Sequence, residues 1–421
     1  MLERLLEVGQ QGIRVRPLGG DRAGEVRIGR FLRNLSVTPE EMIETALART
    51  CTLVQGRHVL AIQDTTSLRD DGKSSNHQLH ATITVDADDG ALLGVAGASF
   101  LRHKEREKIH CNKRPFAEKD SRRWLDATHE AAKLSAAGAA CVTVVADREC
   151  DIYDEFALRP ANVELLIRCH HDRVLADGTR LHGCTRTLSE LGREIVHVPA
   201  APGRSKRDAV VALYACQVTV RRPKRNTAAE TAKLPPELTL TFVEAREIGA
   251  PAGTPPLRWR LLTTHSVTNF AEARRIIGYY RLRWSVEQVF RTMKTKGFDI
   301  EAVRMDEEMA FENLVAATLI AAVQVQQMVH ERDGTAKRPA EDVFDPEDLP
   351  ALAAICPTLE GKTQKQKNPH PAGSLAYATW VCARLGGWNG YYGKPGPIVV
   401  LHGFQRFQAM RDGWAIGRSS A

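Results

Sequence analysis

No two of the nine cysteines in this chain stand at C-x-x-C spacing, and their number is odd. That argues against a disulfide framework and for free thiols in a reducing, cytoplasmic setting. The first residues, MLERLLEVGQ, carry charges among their leucines and lack the apolar core of a signal peptide. The most apolar segment, LVAATLIAAVQVQQMV from Leu314, is interrupted by Gln324 and is too short to span a bilayer, so a soluble protein is expected. Internal repeats are absent. The group CHHD…LHGC, with Cys169, His170, His171, His182 and Cys184, lacks zinc-ligand spacing. Its adjacent residues would point to opposite faces of a strand, and no zinc site is expected there.

The 421 residues are 43% hydrophobic and 26% charged, enough for a sizeable core in one large domain or a few smaller ones. Net charge is +7, a mild excess of Lys and Arg that suits a polyanionic partner without demonstrating one.

TPEEMIETALARTCT, residues 38 to 52, reads as a helix with Thr38 as N-cap and Glu41 three residues later. HVLAIQD is a short strand ending at Gln63 and Asp64. LHATITVD alternates, turns at D-A-D-D-G and returns as ALLGVAGASF, the pattern of a hairpin. Residues 102 to 123 hold nine basic against four acidic residues. SRRWLDATHEAAKLSAAG reads as a helix leading into CVTVVAD, a buried strand that runs into Asp147. A helix after a meander makes this fourth strand the natural parallel neighbour of the first, with Asp64 and Asp147 side by side. That is the layout of a ribonuclease H-like α/β core.

From about 165 to 262 the texture becomes β-rich: VELLIRCH, DAVVALYACQVTV, LTLTFVEAREI and RWRLLTT alternate with turns, as in an insertion within the domain. YYRLRWSVEQVFRTMKTKG, residues 279 to 297, reads as one amphipathic helix, with more helix to about 331. DGTAKRP then reads as a linker, LEGKTQKQKNPHPAG as a basic mobile loop, and SLAYATWVCARLGGWNGYYGKPGP as a last compact piece.

At 100° per residue from Tyr280, Arg283, Glu287 and Lys294 fall near about 300°, 340° and 320°, one narrow polar stripe. Leu282, Val286, Val289, Phe290 and Met293 form a separate core-facing side. Asp64, Asp147 and Glu287 converging on one spot would repel each other unless a cation held them, and hard oxygen ligands suit Mg²⁺ or Mn²⁺. Each residue has a plainer reading by itself. Asp64 can cap a turn, DRECD can be a solvated loop with an Arg–Glu pair, and the stripe can be a solvated face.

The spacing Y-x2-R-x3-E-x6-K at Tyr280, Arg283, Glu287 and Lys294 resembles the signature of the insertion-sequence-four (IS-four) family of DDE transposases. QDTTSL resembles the family's first aspartate motif and DRECDI its second. WRLLTT and CARLGGW resemble its W-x-L-L-T and A-R-L-G-G-F segments. The resemblance runs from about residue 22 to the end of the chain, with the motifs in the family's order.

The resemblance implies that Asp64, Asp147 and Glu287 are the catalytic triad and hold two Mg²⁺ (or Mn²⁺) ions. Water and then a DNA 3′-hydroxyl would attack phosphodiesters in cut-and-paste transposition. Tyr280, Arg283 and Lys294 would grip phosphates, and Arg148 and Arg168 would be further phosphate contacts. Trp259 would receive a flipped base while the DNA end forms a hairpin, an assignment that rests on its position before LLTT, since a lone Trp in a β run is more often core. Arg30 and Arg33, in RFLRN, would touch the element's end. The implied organisation is a DNA-end-binding segment at 1–52, a catalytic domain at 53–330 and a helical dimerisation region at 331–421. The partners would be double-stranded DNA, both terminal inverted repeats and target, and a second copy of the chain. The setting would be the bacterial cytoplasm, with nucleoid association on DNA. The family's longer members carry more residues before RFLRN. Either end recognition is compact here or the chain starts internally, which would suit a trans-acting inhibitor that binds no ends. A non-catalytic DNA-binding inhibitor and a plain metal-dependent nuclease are the alternatives. Glycosidase chemistry also uses paired carboxylates, but does not explain a basic chain with its acids on this plan.

Overall fold

After α1 (Arg22–Leu32), the Thr38 hydroxyl accepts the Glu41 N–H at 3.2 Å and starts α2 (Pro39–Leu53), as its capping position requires. This computed structural model describes residues 22–69, 77–102, 115–199, 205–224, 231–295, 297–303, 305, 307–391 and 393–419. The chain continues through β1 (His58–Arg69), the hairpin β2 (His77–Asp86) and β3 (Leu92–Arg102), then α3 (Arg122–Ala136) and β4 (Cys141–Ala146). α4 (Tyr153–Leu158) and β5 (Glu164–Arg168) precede four further strands: β6 (Gly192–Val198), β7 (Arg207–Arg221), β8 (Glu237–Glu247) and β9 (Arg258–Thr263). The rest is helical: α5 (Phe270–Leu282), α6 (Trp284–Met293), α7 (Glu308–Glu331), α8 (Leu349–Leu359), α9 (Leu375–Leu385) and α10 (Pro397–Ser419). Most of the basic stretch at 102–123 lies outside the described residues.

Two compact units divide the chain. One comprises Gly56–Asp64 and Glu105–Arg283. Its strands run in the order β1-β4-β5-β9-β8-β7-β6. β1 and β4 are parallel, from His58 opposite Cys141 to Ile62 opposite Val145, as expected from the helix between them. β5 is parallel to β4, and the remaining neighbours are antiparallel. This mixed sheet and its helices make an α/β unit. β4 is buried along nearly its whole length and β1 from Val59 to Gln63, which explains the apolar runs there. Trp124, Leu125, Ala131 and Leu134 are the buried side of α3, which packs on β4. β6, at the sheet edge, went unread in the sequence because its side chains alternate into solvent around charged residues.

A buried relay ties this sheet to its helices. The Gln63 amide donates to Thr128 Oγ1 at 3.0 Å, and that hydroxyl donates to Glu155 Oε1 at 2.5 Å. Burial pushes the Glu155 carboxyl up to about 7, against a smaller opposing effect of the Thr128 hydrogen bond. A carboxyl raised from 4.5 to about 7 on folding makes stability fall as pH rises through that window. Glu155→Gln is therefore expected to flatten the pH dependence of stability between pH 4.5 and about 7. At pH 8 it should stabilise the protein by up to about 3 kcal/mol, read by urea melts at several pH values. An unchanged slope would show that Glu155 does not set it.

The other unit holds the described parts of Met1–Gln55, Thr65–Lys104 and Trp284–Ala421. The β2–β3 hairpin forms as its alternation requires, from His77 opposite Arg102 to Val85 opposite Leu92. α2 lies close on β3: a Cβ on Gly94 would come within 2.1 Å of Thr50 Oγ1, and Thr50 itself bonds Val95 O. α7 is the core helix. It is longer than its sequence suggested and is long and apolar enough to cross a membrane, yet 78% of its apolar window is buried. Its polar residues bond inward: the Asn313 amide donates to Leu32 O and Val37 O, and Gln327 donates to Leu93 O. The segment expected as a linker, DGTAKRP, is instead a fixed turn. Glu331 accepts the N–H groups of Ala336 and Arg338 at 3.2 Å each, and Arg338 pairs with Asp342 at 2.6 Å. In LEGKTQKQKNPHPAG, Thr363 and Gln366 form a capping box on a short 3₁₀ turn.

Candidate active site

β1 does not end at Asp64, as its sequence suggested, but continues to Arg69. The β-branched pair Thr65–Thr66 sustains the strand. Continuing the β1–β4 register two residues past Ile62 and Val145 sets Asp64 level with Asp147. Asp147 has left the strand, in extended conformation, at the head of a 3₁₀ turn from Arg148 to Cys150. The two aspartates are thus brought together, as the strand order implied.

A cation already lies across them. Arg283 Nη1 is 3.2 Å from Asp64 Oδ2, and Nη2 is 3.7 Å from Asp147 Oδ2. Tyr280 donates its phenol to Asp147 Oδ1 at 3.3 Å, and Arg168 approaches the same oxygen at 3.6 Å. Tyr280 is buried, and its phenol is pushed up to about 12, by desolvation first and then by the charge of Asp147. The half-buried Trp259 meets Tyr280 edge-on, with ring centroids 5.9 Å apart. It is therefore neither deep core nor free surface.

Asp64 and Asp147 open on a cavity of about 380 Å³, also lined by Trp124, Arg148, Glu149 and His170. Arg148 is exposed there, and Glu149 pairs with Arg123 at 2.8 Å. Trp124 and Glu149 were not singled out in the sequence, although Glu149 sits inside DRECD, and His170 entered only in the group rejected as a zinc site. The signal for His170 is indirect and comes from Asp151, whose buried carboxylate accepts the N–H groups of His170 and His171 at 2.8 Å each. Arg173 closes on the other oxygen of Asp151 at 2.5 Å. The second aspartate of D-R-E-C-D thus fixes the loop that brings His170 to the cavity.

The expected single helix over 279–297 is two. α5 stops at Leu282, where the Arg283 N–H bonds Tyr280 O in a tightened last turn, and α6 starts at Trp284. The interruption falls on the residue whose side chain is buried against the aspartates. The apolar side survives: Val286, Val289, Phe290 and Met293 are buried, and Leu282 is half-buried. Glu287 is half-buried in the first turn of α6 and belongs to the unit that contains α7. In that unit Lys294 pairs with Glu301 at 2.8 Å, and Arg33 pairs with Glu307 at 2.8 Å. Arg30 is exposed on α1.

Among the described residues, no three His, Cys, Asp or Glu side chains are gathered to hold a metal ion. The Asp64–Asp147 pair still fits a hard divalent cation. Mg²⁺ is commonly held by one or two carboxylates with water and phosphate, and the guanidinium between the two acids stands where such a charge would sit.

Residues 141–324 match the family model of the transposase DDE domain. The matched stretch runs from β4 into α7 and contains Asp147, Arg148, Arg168, Trp259, Tyr280, Arg283, Glu287 and Lys294, while Asp64 precedes it. This likeness supports a DDE transposase, a nuclease-type enzyme with DNA as its substrate.

Proposed function

We propose that the chain is the transposase of an IS-four-type insertion sequence, which cuts DNA at the element's ends and joins them to a target. The observation that carries this reading is the Asp64–Asp147 pair, level just past the last paired residues of the parallel strands β1 and β4 and spanned by Arg283. Its catalytic core is ribonuclease H-like with a β-rich insertion, and Glu287 completes the triad. Two Mg²⁺ or Mn²⁺ ions held there would stabilise the attacking and leaving oxygens of phosphodiester exchange. The phenol of Tyr280 fixes the orientation of Asp147. Arg283, Arg148, Arg168 and Lys294 hold backbone phosphates, and Trp259 stacks on a flipped base as the end closes into a hairpin. Arg30 and Arg33 contact the element's end, and residues 331–421 pair two copies.

The test is a duplex that carries the element's flanking inverted repeats, incubated with the purified chain and Mg²⁺. Hairpinned double-strand breaks followed by joining to a target plasmid are expected. Cleavage without joining would leave a plain nuclease, and binding without cleavage an inhibitor.

Two side chains separate the steps. Trp259→Ala is expected to impair hairpin formation more than first-strand nicking, as resolved on denaturing gels, because only the hairpin needs a base out of the stack. Equal loss of both would make Trp259 a packing residue. Lys294→Ala should weaken end binding evenly across sequences and lower the slope of log K against log salt by about one. An unaltered slope would remove Lys294 from the phosphate contacts.

A further inference from the structure

Cys184 and Cys216 bring their sulfurs to 3.3 Å, and both are free thiols. Cys216 lies on β7 opposite Phe242, and Cys184 follows a 3₁₀ turn at Leu181–Gly183. The loop that carries Cys184 is docked on β7 at both ends. Ala176 N donates to Thr219 O at 2.8 Å, Arg221 N donates to Val174 O at 3.0 Å, and Leu191 N donates to Leu213 O at 2.8 Å. The next residue, Thr185, donates its hydroxyl to the buried carboxylate of Glu244. Backbone and side-chain bonds on either side therefore set the approach of the two sulfurs, which does not depend on a surface rotamer. Both thiols are half-buried and line an open cavity of about 790 Å³, shared with Arg180, His182 and Arg186. Cys150, Cys169, Cys356 and Cys382, by contrast, are buried.

We propose that Cys184 and Cys216 are a modification site, a dithiol that a hydroperoxide converts reversibly into a disulfide. The hydroperoxide transfers one oxygen to the Cys216 thiolate, giving a sulfenic acid and releasing an alcohol or water. The Cys184 sulfur then attacks the sulfenyl sulfur. Its proton leaves with the sulfenyl hydroxyl as water, and the S–S bond forms. The peroxide O–O bond is reduced as the two thiols are oxidised, so the atoms balance without a further reagent. Cys216 is the sulfur attacked first. The hydrogen bond the two sulfurs share holds the Cys216 thiol below the usual range and, with burial, pushes that of Cys184 up. Closure shortens the 3.3 Å approach of the sulfurs to a bond of about 2.0 Å. The bridge would fix Thr185 on Glu244, the carboxylate that holds Arg258 and Arg260 on either side of Trp259.

The test treats the full chain with hydrogen peroxide, alkylates it with iodoacetamide and maps the peptides without reduction. A cross-linked Cys184–Cys216 peptide that dithiothreitol separates is the expected result. Two alkylated thiols at the level of untreated protein, or a different pairing, would overturn the proposal. In Cys184→Ser, peroxide should leave Cys216 as a sulfenic acid that dimedone traps. Absence of that adduct would overturn Cys216 as the sulfur attacked.

Discussion

Asp147→Asn is expected to reduce metal-dependent cleavage of end-containing DNA by at least about a hundredfold, with DNA binding nearly intact. Asparagine keeps the size of the side chain and one oxygen for the Tyr280 phenol, 3.3 Å away in the native protein, but removes the charge that a divalent ion needs. Asp64→Asn should behave alike, because the two carboxylates face one cation from adjacent strands. Glu287→Ala is the decisive third variant, since the triad assignment requires the same loss from a residue of α6. The measurement is single-turnover cleavage with thermal melts as folding controls, and gel shifts report binding. Unchanged cleavage in either aspartate variant would sink the site. Cleavage kept only in Glu287→Ala would move the third ligand elsewhere, with Glu149 on the cavity wall the first candidate.

The aspartate pair was legible in the sequence because its cause is local. An apolar run ending in a polar residue, a meander, a helix and a second apolar run leave one economical strand order, and that order places the two acids. The capping of α2 by Thr38 and the β2–β3 hairpin were legible for the same reason. The break between α5 and α6 was not. Helical periodicity is continuous across Arg283, and the turn tightens where that side chain is buried against carboxylates more than two hundred residues earlier, at Asp64. His170 was hidden likewise, since its place depends on Asp151 accepting backbone N–H groups across a gap of 19 residues. The linker at DGTAKRP became a fixed turn through the carboxylate of Glu331, a tertiary choice that local composition does not encode. Patterns that a segment satisfies alone are readable, whereas side chains that answer a distant charge are not.

Arg283→Gln is expected to bind divalent metal more tightly while cutting DNA less well. In the native protein Arg283, 8% exposed, holds the oxygens that a metal ion would take, so the two cations would compete for one site. Removing the competitor should raise Mn²⁺ affinity by about tenfold, the equivalent of one modest charge-assisted hydrogen bond. The larger figure for a fully buried pair does not apply, because the side chains of Asp64 and Asp147 remain 24% and 32% exposed and water screens them. Without metal, two like charges would stand level without the guanidinium that spans them, Arg168 remaining 3.6 Å from Asp147 alone, so the apo variant should melt below the native protein and recover more on metal addition. Cleavage should nevertheless fall, because a guanidinium released from the carboxylates is the bidentate group suited to a backbone phosphate. A residue that only supported the fold would lower metal affinity and cleavage together. Calorimetric titration of Mn²⁺ into both proteins separates the cases: equal affinities would show that Arg283 does not guard the metal site, and tighter binding with unimpaired cleavage would show that it does not hold the DNA.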